Sequence, residues 1–178
     1  RAAVYEFDER SGTLAARCAA AGIDLAPHVA AGRIGLRRVN PAELSPGEFA
    51  HLVRTEVEEQ GASLLAIDSL NGYFTAMPQE HQLLLQMHEL LSYLNQLGVL
   101  TILVLAQHGL VGPMQTPIDL RYLSDAVLML RYFEFEGTVR RALSVVKKRS
   151  GWHEHTIREF RLSPPHGLSI GPPLRDFN

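Results

Sequence analysis

Hydrophobic and polar positions alternate between two regimes along the chain. Short apolar runs at Ala2–Tyr5, Leu64–Asp68 (between Gly61 and Gly72) and Val99–Leu105 predict strands, and the last two are expected to be buried on both faces. Ile34 to Val39 is a further candidate strand. Between these runs the apolar period lengthens to that of a helix. Gly12 to Ala21 is alanine-rich and stops at Gly22. Ser45-Pro46-Gly47-Glu48 spells a capping box with proline at the first helical position. Phe49, Leu52, Val53 and Val57 follow at helical spacing before Gly61. Leu83, Leu84, Met87, Leu90, Leu91, Leu94 and Leu97 form one broad apolar face ending at Gly98.

Strand, helix, strand, helix, strand in this order predicts an α/β fold with right-handed crossovers and a mostly parallel sheet flanked by helices. After Asp125 the rhythm changes. Val127–Phe135 and Thr138–Lys147 flank Gly137 as an antiparallel hairpin, with short strands expected near Ile157–Leu162 and Leu168–Ile170, so an antiparallel β-meander closes the chain. Gln107 to Leu120, with two glycines and two prolines, lacks periodicity and reads as a loop at the ligand edge of the sheet. There is no internal repeat or linker, and residues 1–178 are expected to form one partial domain.

Composition narrows the classes. Of 178 residues, 46% are hydrophobic and 20% charged, which fits a packed domain and excludes disorder. A formal charge of −2 supplies no net field for nucleic acid or anionic lipid. Cys18 is the one cysteine, so no internal disulfide and no cysteine metal cluster can form. No apolar run approaches the roughly 20 residues of a membrane span, and no leader-like segment opens the chain. A cytoplasmic protein, neither exported nor inserted, is expected.

Three groups of residues could carry chemistry. Asp8 and Glu9 follow the first strand, where an α/β enzyme places a general base or a metal-binding carboxylate; the alternative is a solvated or helix-capping pair. Asp68 ends an apolar strand, a pattern suited to holding a carboxylate near Mg²⁺ and its waters; otherwise it caps the next loop with Ser69 and Asn71. Lys147, Arg149 and His153 lie in VVKKRSGWHEH. Lys147 and Arg149 are spaced to share one face of a strand and meet a phosphate, or to form a basic edge that discourages strand addition. His153 and His155 share a parity, but no carboxylate or cysteine pattern completes a zinc site.

In order, VYEFDE, AAAGID, LLAIDSLNGY, LSDAVLMLRYFEFEGTVRRALSVVKKRSGWHEHTIREF and GLSIGPPL resemble the KaiC-like ATPases of the RecA superfamily, over nearly the whole chain. The long fourth block is the most specific. The resemblance implies a RecA-like P-loop NTPase core that binds and hydrolyses ATP with Mg²⁺. In it Asp8 and Glu9 act on the attacking water, Asp68 is the Walker B aspartate, and Lys147, Arg149 and His153 reach the nucleotide phosphates of a neighbouring subunit. Self-association in a ring, a hexamer, is implied, with signalling proteins as further partners and a circadian-clock-like setting. Asp8 stands where the family usually has glutamate, one methylene longer, which bears on hydrolysis rate. Arg121-Tyr122 align with the Ser-Thr pair that is phosphorylated in the family's clock proteins, so that switching is not expected here.

No G-x-x-x-x-G-K-[ST] occurs in the sequence, and this is the motif that cradles phosphates and positions Mg²⁺. The resemblance puts it upstream of Arg1, so the first strand and the phosphate-loop helix are expected to be missing and the piece inactive by itself. A non-catalytic signalling or scaffold module is the alternative reading. A recombinase or helicase core would need a basic or aromatic nucleic-acid loop, and Gln107–Leu120 has no Lys, Arg, Phe, Trp or Tyr.

Overall fold

The computed structural model describes residues 1–7, 11–40, 43–75, 80–106, 123–164 and 166–175. Asp8, Glu9, the 107–120 loop and Arg121-Tyr122 lie outside these residues. The chain divides into two compact units: Arg1–Ala19 with Asp24–Ala106, and Ala20–Ile23 with Gln107–Asn178.

The first unit is built on four parallel strands, β1 (Ala2–Glu6), β2 (Ile34–Arg38), β3 (Leu64–Asp68) and β4 (Leu100–Leu103), in the order β2-β1-β3-β4. Helices α1 (Ser11–Ala20) and α2 (Ala26–Ala30) precede β2, α3 (Pro46–Glu58) precedes β3, and α4 (Leu70–Thr75) and α5 (Glu80–Gln96) precede β4. These bounds follow the sequence pattern within a few residues. The short α2 and α4 were not predicted, since five or six residues are too few to show a helical period.

Helix α3 starts where its capping box dictates: Ser45 Oγ accepts from Glu48 N at 3.3 Å, and Ser45 N donates to Glu48 Oε2 at 2.7 Å. Its buried positions are Phe49, Val53 and Glu56. Glu56 tolerates burial because Arg1 and Arg37 approach its carboxylate at 2.8 and 3.3 Å, which ties the helix to the first two strands. In α5 the fully buried positions are Leu83, Met87, Leu90 and Leu94, a single stripe.

One sheet face, with Ala3, Tyr5, Leu65 and Ile67, is buried. The other is not, which corrects the expectation that the β3 and β4 runs are buried on both faces. In β3, Leu64, Ala66 and Asp68 are half-buried, and in β4, Leu100 and Ile102 are exposed. An apolar run by itself cannot distinguish a strand covered twice from one covered once.

The second unit is an antiparallel meander, β5 (Ala126–Phe135), β6 (Thr138–Lys148), β7 (Arg158–Ser163) and β8 (Gly167–Pro173), paired in sequence order. Glu136 and Gly137 join β5 to β6 with φ of 50° and 69°. Two successive left-handed residues match the right-handed twist of the strands they link, and glycine at the second removes the steric cost. The predicted hairpin is present. The parallel and antiparallel sheets with flanking helices agree with a RecA-like α/β fold, and among the described residues no helix is long and apolar enough to cross a membrane.

Candidate functional site

Parallel sheets collect functional groups at the carboxyl ends of their strands, where loops diverge and backbone groups run out of partners. Here those ends are firmly joined. Phe7 N donates to Asp68 O at 2.7 Å and Val39 N to Glu6 O at 2.9 Å, so β1, β2 and β3 finish in register. Val104 N donates to Ile67 O at 3.0 Å, and Leu70 N to Val104 O at 2.9 Å. Asn71 clamps the chain after β4 through both ends of its amide: Nδ2 donates to Ala106 O at 2.9 Å, and Oδ1 accepts from Ala106 N at 2.8 Å.

Asp68 is the last residue of β3, half-buried at this edge, as its sequence position predicted. The loop-capping alternative assigned Ser69 and Asn71 to it as partners. Ser69 Oγ accepts from Gly72 N at 3.4 Å at the start of α4, and the Asn71 amide bonds the backbone of Ala106.

Beneath the site lies an aromatic cluster. Phe49 meets Tyr5 and Phe7 edge to face, each with centroids 5.3 Å apart, and Tyr73 at 5.4 Å; Phe7 also meets Tyr73 at 5.6 Å. Burial, with the Glu56 carboxylate adding to it, pushes the Tyr5 hydroxyl up to about 12, and burial alone does the same for Tyr73. Neither is a proton donor or acceptor near neutral pH. They act as rigid apolar supports for the ends of β1 and β3.

Glu6 was missed by sequence reasoning. It is the final residue of β1 and the register neighbour of Asp68, yet it is only 2% exposed, and neither carboxylate oxygen has a hydrogen-bond partner among the described residues. The available signal was an acid inside an apolar run, Val4-Tyr5-Glu6-Phe7. Only the register reveals which neighbour it faces.

The cationic residues belong to the second unit. Lys147 Nζ donates to Ser124 O at 2.7 Å; Arg149 forms an ion pair with Asp125 at 2.9 Å, and its backbone N donates to Asp125 O at 2.7 Å. Both cations therefore converge on Ser124-Asp125. They do so without a shared strand face, because β6 ends at Lys148 and Arg149 lies in the bend beyond. Lys148 Nζ holds Trp152 O at 3.2 Å while the Trp152 ring is 79% exposed. The His153 and His155 rings meet tilted by 58°, with centroids 4.4 Å apart. Hydrogen bonds from Arg158 and Thr156 hold the intervening Glu154 carboxyl below the usual carboxylate range. Among the described residues no group of three or more metal-ligating side chains occurs.

The family described as "ATPase: KaiC" matches residues 4–175. The chain belongs to the KaiC ATPase family. Among curated proteins, the circadian clock oscillator protein KaiC 1 of Synechocystis sp. is 26% identical over 179 residues, covering 99% of this chain and 33% of the relative. KaiC of Prochlorococcus marinus is 25% identical over 179 residues, with 99% and 34% covered. The circadian clock protein KaiC3 of Synechocystis sp. is 23% identical over 179 residues, with 99% and 35% covered. The chain thus spans about a third of the length of the KaiC relatives it matches. At family level it matches an ATPase domain.

Proposed function

We propose that this KaiC-family chain supplies the carboxylate and trans-acting parts of an ATP-hydrolysing ring protein. The observation that carries the reading is Asp68 at the carboxyl end of a parallel strand, at an edge fixed by the joined ends of β1, β2, β3 and β4 within a chain of this family. Two carboxylates at this edge suit a hard cation: Asp68, and Glu6, whose oxygens are buried and have no hydrogen-bond partner among the described residues. Bound Mg²⁺ would supply charge neutralisation on the phosphates.

In this reading Asp68 holds the cation's waters. Asp8 or Glu9 orients the attacking water and takes its proton. Lys147, Arg149 and His153 reach across to the phosphates of the next subunit, where fixed cations stabilise charge gathering on the transferred group. Lys147 and Arg149 would first have to leave Ser124 O and the Asp125 carboxylate. The arginine pair is exposed on both sides, so exchanging it for phosphate costs little. The sequence contains no phosphate-binding loop, so the reading requires one from a further segment. The chain is expected to be inactive alone and active when extended upstream through such a segment, with Lys147→Ala and Arg149→Ala each impairing hydrolysis and ring assembly. If those two variants of the extended protein match the wild type in both respects, the trans assignment fails.

A non-catalytic signalling or scaffold role is the second reading, favoured by the cations' engagement within their own unit. It predicts no hydrolysis by the properly folded extended protein.

A further inference from the structure

Alternation along β1 places Ala2, Val4 and Glu6 on one face of the sheet, and parallel register gives that face Leu64, Ala66 and Asp68 on β3 and Ile34, Leu36 and Arg38 on β2. It is the less covered face, half-buried along β1 and β3, yet its one fully buried side chain is an acid. A buried carboxylate with neither oxygen satisfied is costly unless charge or hydrogen bonds reach it. The neighbouring cation does not do this: Arg38 is exposed, and Glu6 has no partner among the described residues. Its other neighbour is a second acid. Adjacent strands lie only about 4.8 Å apart, so ionised Glu6 and Asp68 repel each other at the sheet edge where ligands of parallel sheets bind. A divalent cation of the Mg²⁺ type, which keeps several waters and takes one or two carboxylates, relieves both costs.

We propose that Glu6 is a metal-site residue whose carboxylate, beside Asp68 on the same face, accepts hydrogen bonds from the waters of a bound divalent cation. The inference rests on the reading that Asp68 serves Mg²⁺, and assigns a second acid to that site.

Mn²⁺ alone, followed by electron paramagnetic resonance with Mg²⁺ as competitor, tests it on the full 178-residue chain. The variants are Glu6→Gln and Asp68→Asn, with far-UV circular dichroism to confirm folding. The wild type is expected to bind Mn²⁺ in competition with Mg²⁺, and each variant to bind at least about tenfold more weakly, the range seen when groups that orient metal ligands are removed. In metal-free buffer Glu6→Gln should melt above the wild type, since it replaces a buried charge by an isosteric amide, and Mg²⁺ should narrow that gap by stabilising the wild type. Wild-type affinity in Glu6→Gln with loss in Asp68→Asn would overturn the role of Glu6 and leave that of Asp68 standing. Weakening in Glu6→Gln alone would overturn the shared site. No Mn²⁺ binding by the wild type, or equal binding by all three, would overturn both.

Discussion

Replacing Phe49 by alanine removes a ring that is 0% exposed and touches three other aromatic rings, those of Tyr5, Phe7 and Tyr73. Full burial of a phenylalanine contributes about 1.5–3 kcal/mol from transfer out of water. The cavity left by truncation brings the usual cost to about 3–5 kcal/mol. Two of the lost contacts are edge to face at 5.3 Å, a geometry adding about 0.5–1.5 kcal/mol beyond area. The neighbours are themselves rings anchored on β1 and α4 and cannot collapse into the gap, so the expectation is about 4 kcal/mol for Phe49→Ala. Phe49→Leu keeps most of the apolar volume and should cost about 1.5 kcal/mol. Urea unfolding followed by far-UV circular dichroism measures both, with the leucine variant within range even if the alanine variant is largely unfolded. An alanine variant destabilised by less than about 1 kcal/mol, or a leucine variant as damaged as the alanine one, would refute the claim that this ring is the keystone of the cluster.

Arg149→Ala removes an ion pair exposed on both sides, so stability should change by less than about 1 kcal/mol. If the guanidinium serves a neighbour's phosphates, ATP hydrolysis by the extended protein should fall by on the order of 10³, and denaturation curves beside rate assays separate the two effects. Tyr5 and Tyr73 keep their protons to about pH 12 when folded, against the ordinary value of 10.0. Their share of stability is therefore fully present below pH 10 and lost as pH rises to about 12; urea midpoints across that interval should decline, and Tyr73→Phe should make the decline shallower. Ser45→Ala abolishes the side-chain half of the capping box and should destabilise by about 1 kcal/mol. Hydrogen bonds from Ser45 hold the Glu48 carboxyl below its ordinary range, so its contribution is present above the usual carboxylate range and lost as pH falls through the lowered value, which acid titration of the wild type against Ser45→Ala would show.

Much of this fold was legible because its signals are local. The capping box at Ser45 and Glu48, the stripe in α5, and the left-handed hairpin at Glu136-Gly137 each need only neighbours in sequence to be read. Face coverage was not legible. Leu100 and Ile102 look like core residues in sequence and are 59% and 45% exposed, because coverage depends on other elements. Glu56 shows the converse, taking a buried helix position where Val57 fitted the apolar pattern, since Arg1, just before β1, and Arg37 of β2 reach it from distant parts of the sequence. At the site, Asp68 could be read from its place at the end of an apolar run. Glu6 could not, because its pairing with Asp68 exists only once β1 and β3 lie in register. The partners of Lys147 and Arg149, Ser124 and Asp125, lie more than twenty residues back and meet them only through the β5–β6 hairpin.

The most direct test of the central claim is the rate of Mg²⁺-dependent ATP hydrolysis by the protein extended through a phosphate-binding segment, wild type against Asp68→Asn. Loss of a carboxylate that holds the cation should lower the rate at least about 100-fold, equivalent to about 2.7 kcal/mol of transition-state stabilisation, with the nucleotide-free fold unchanged. A folded Asp68→Asn protein that hydrolyses ATP as fast as the wild type would contradict the account.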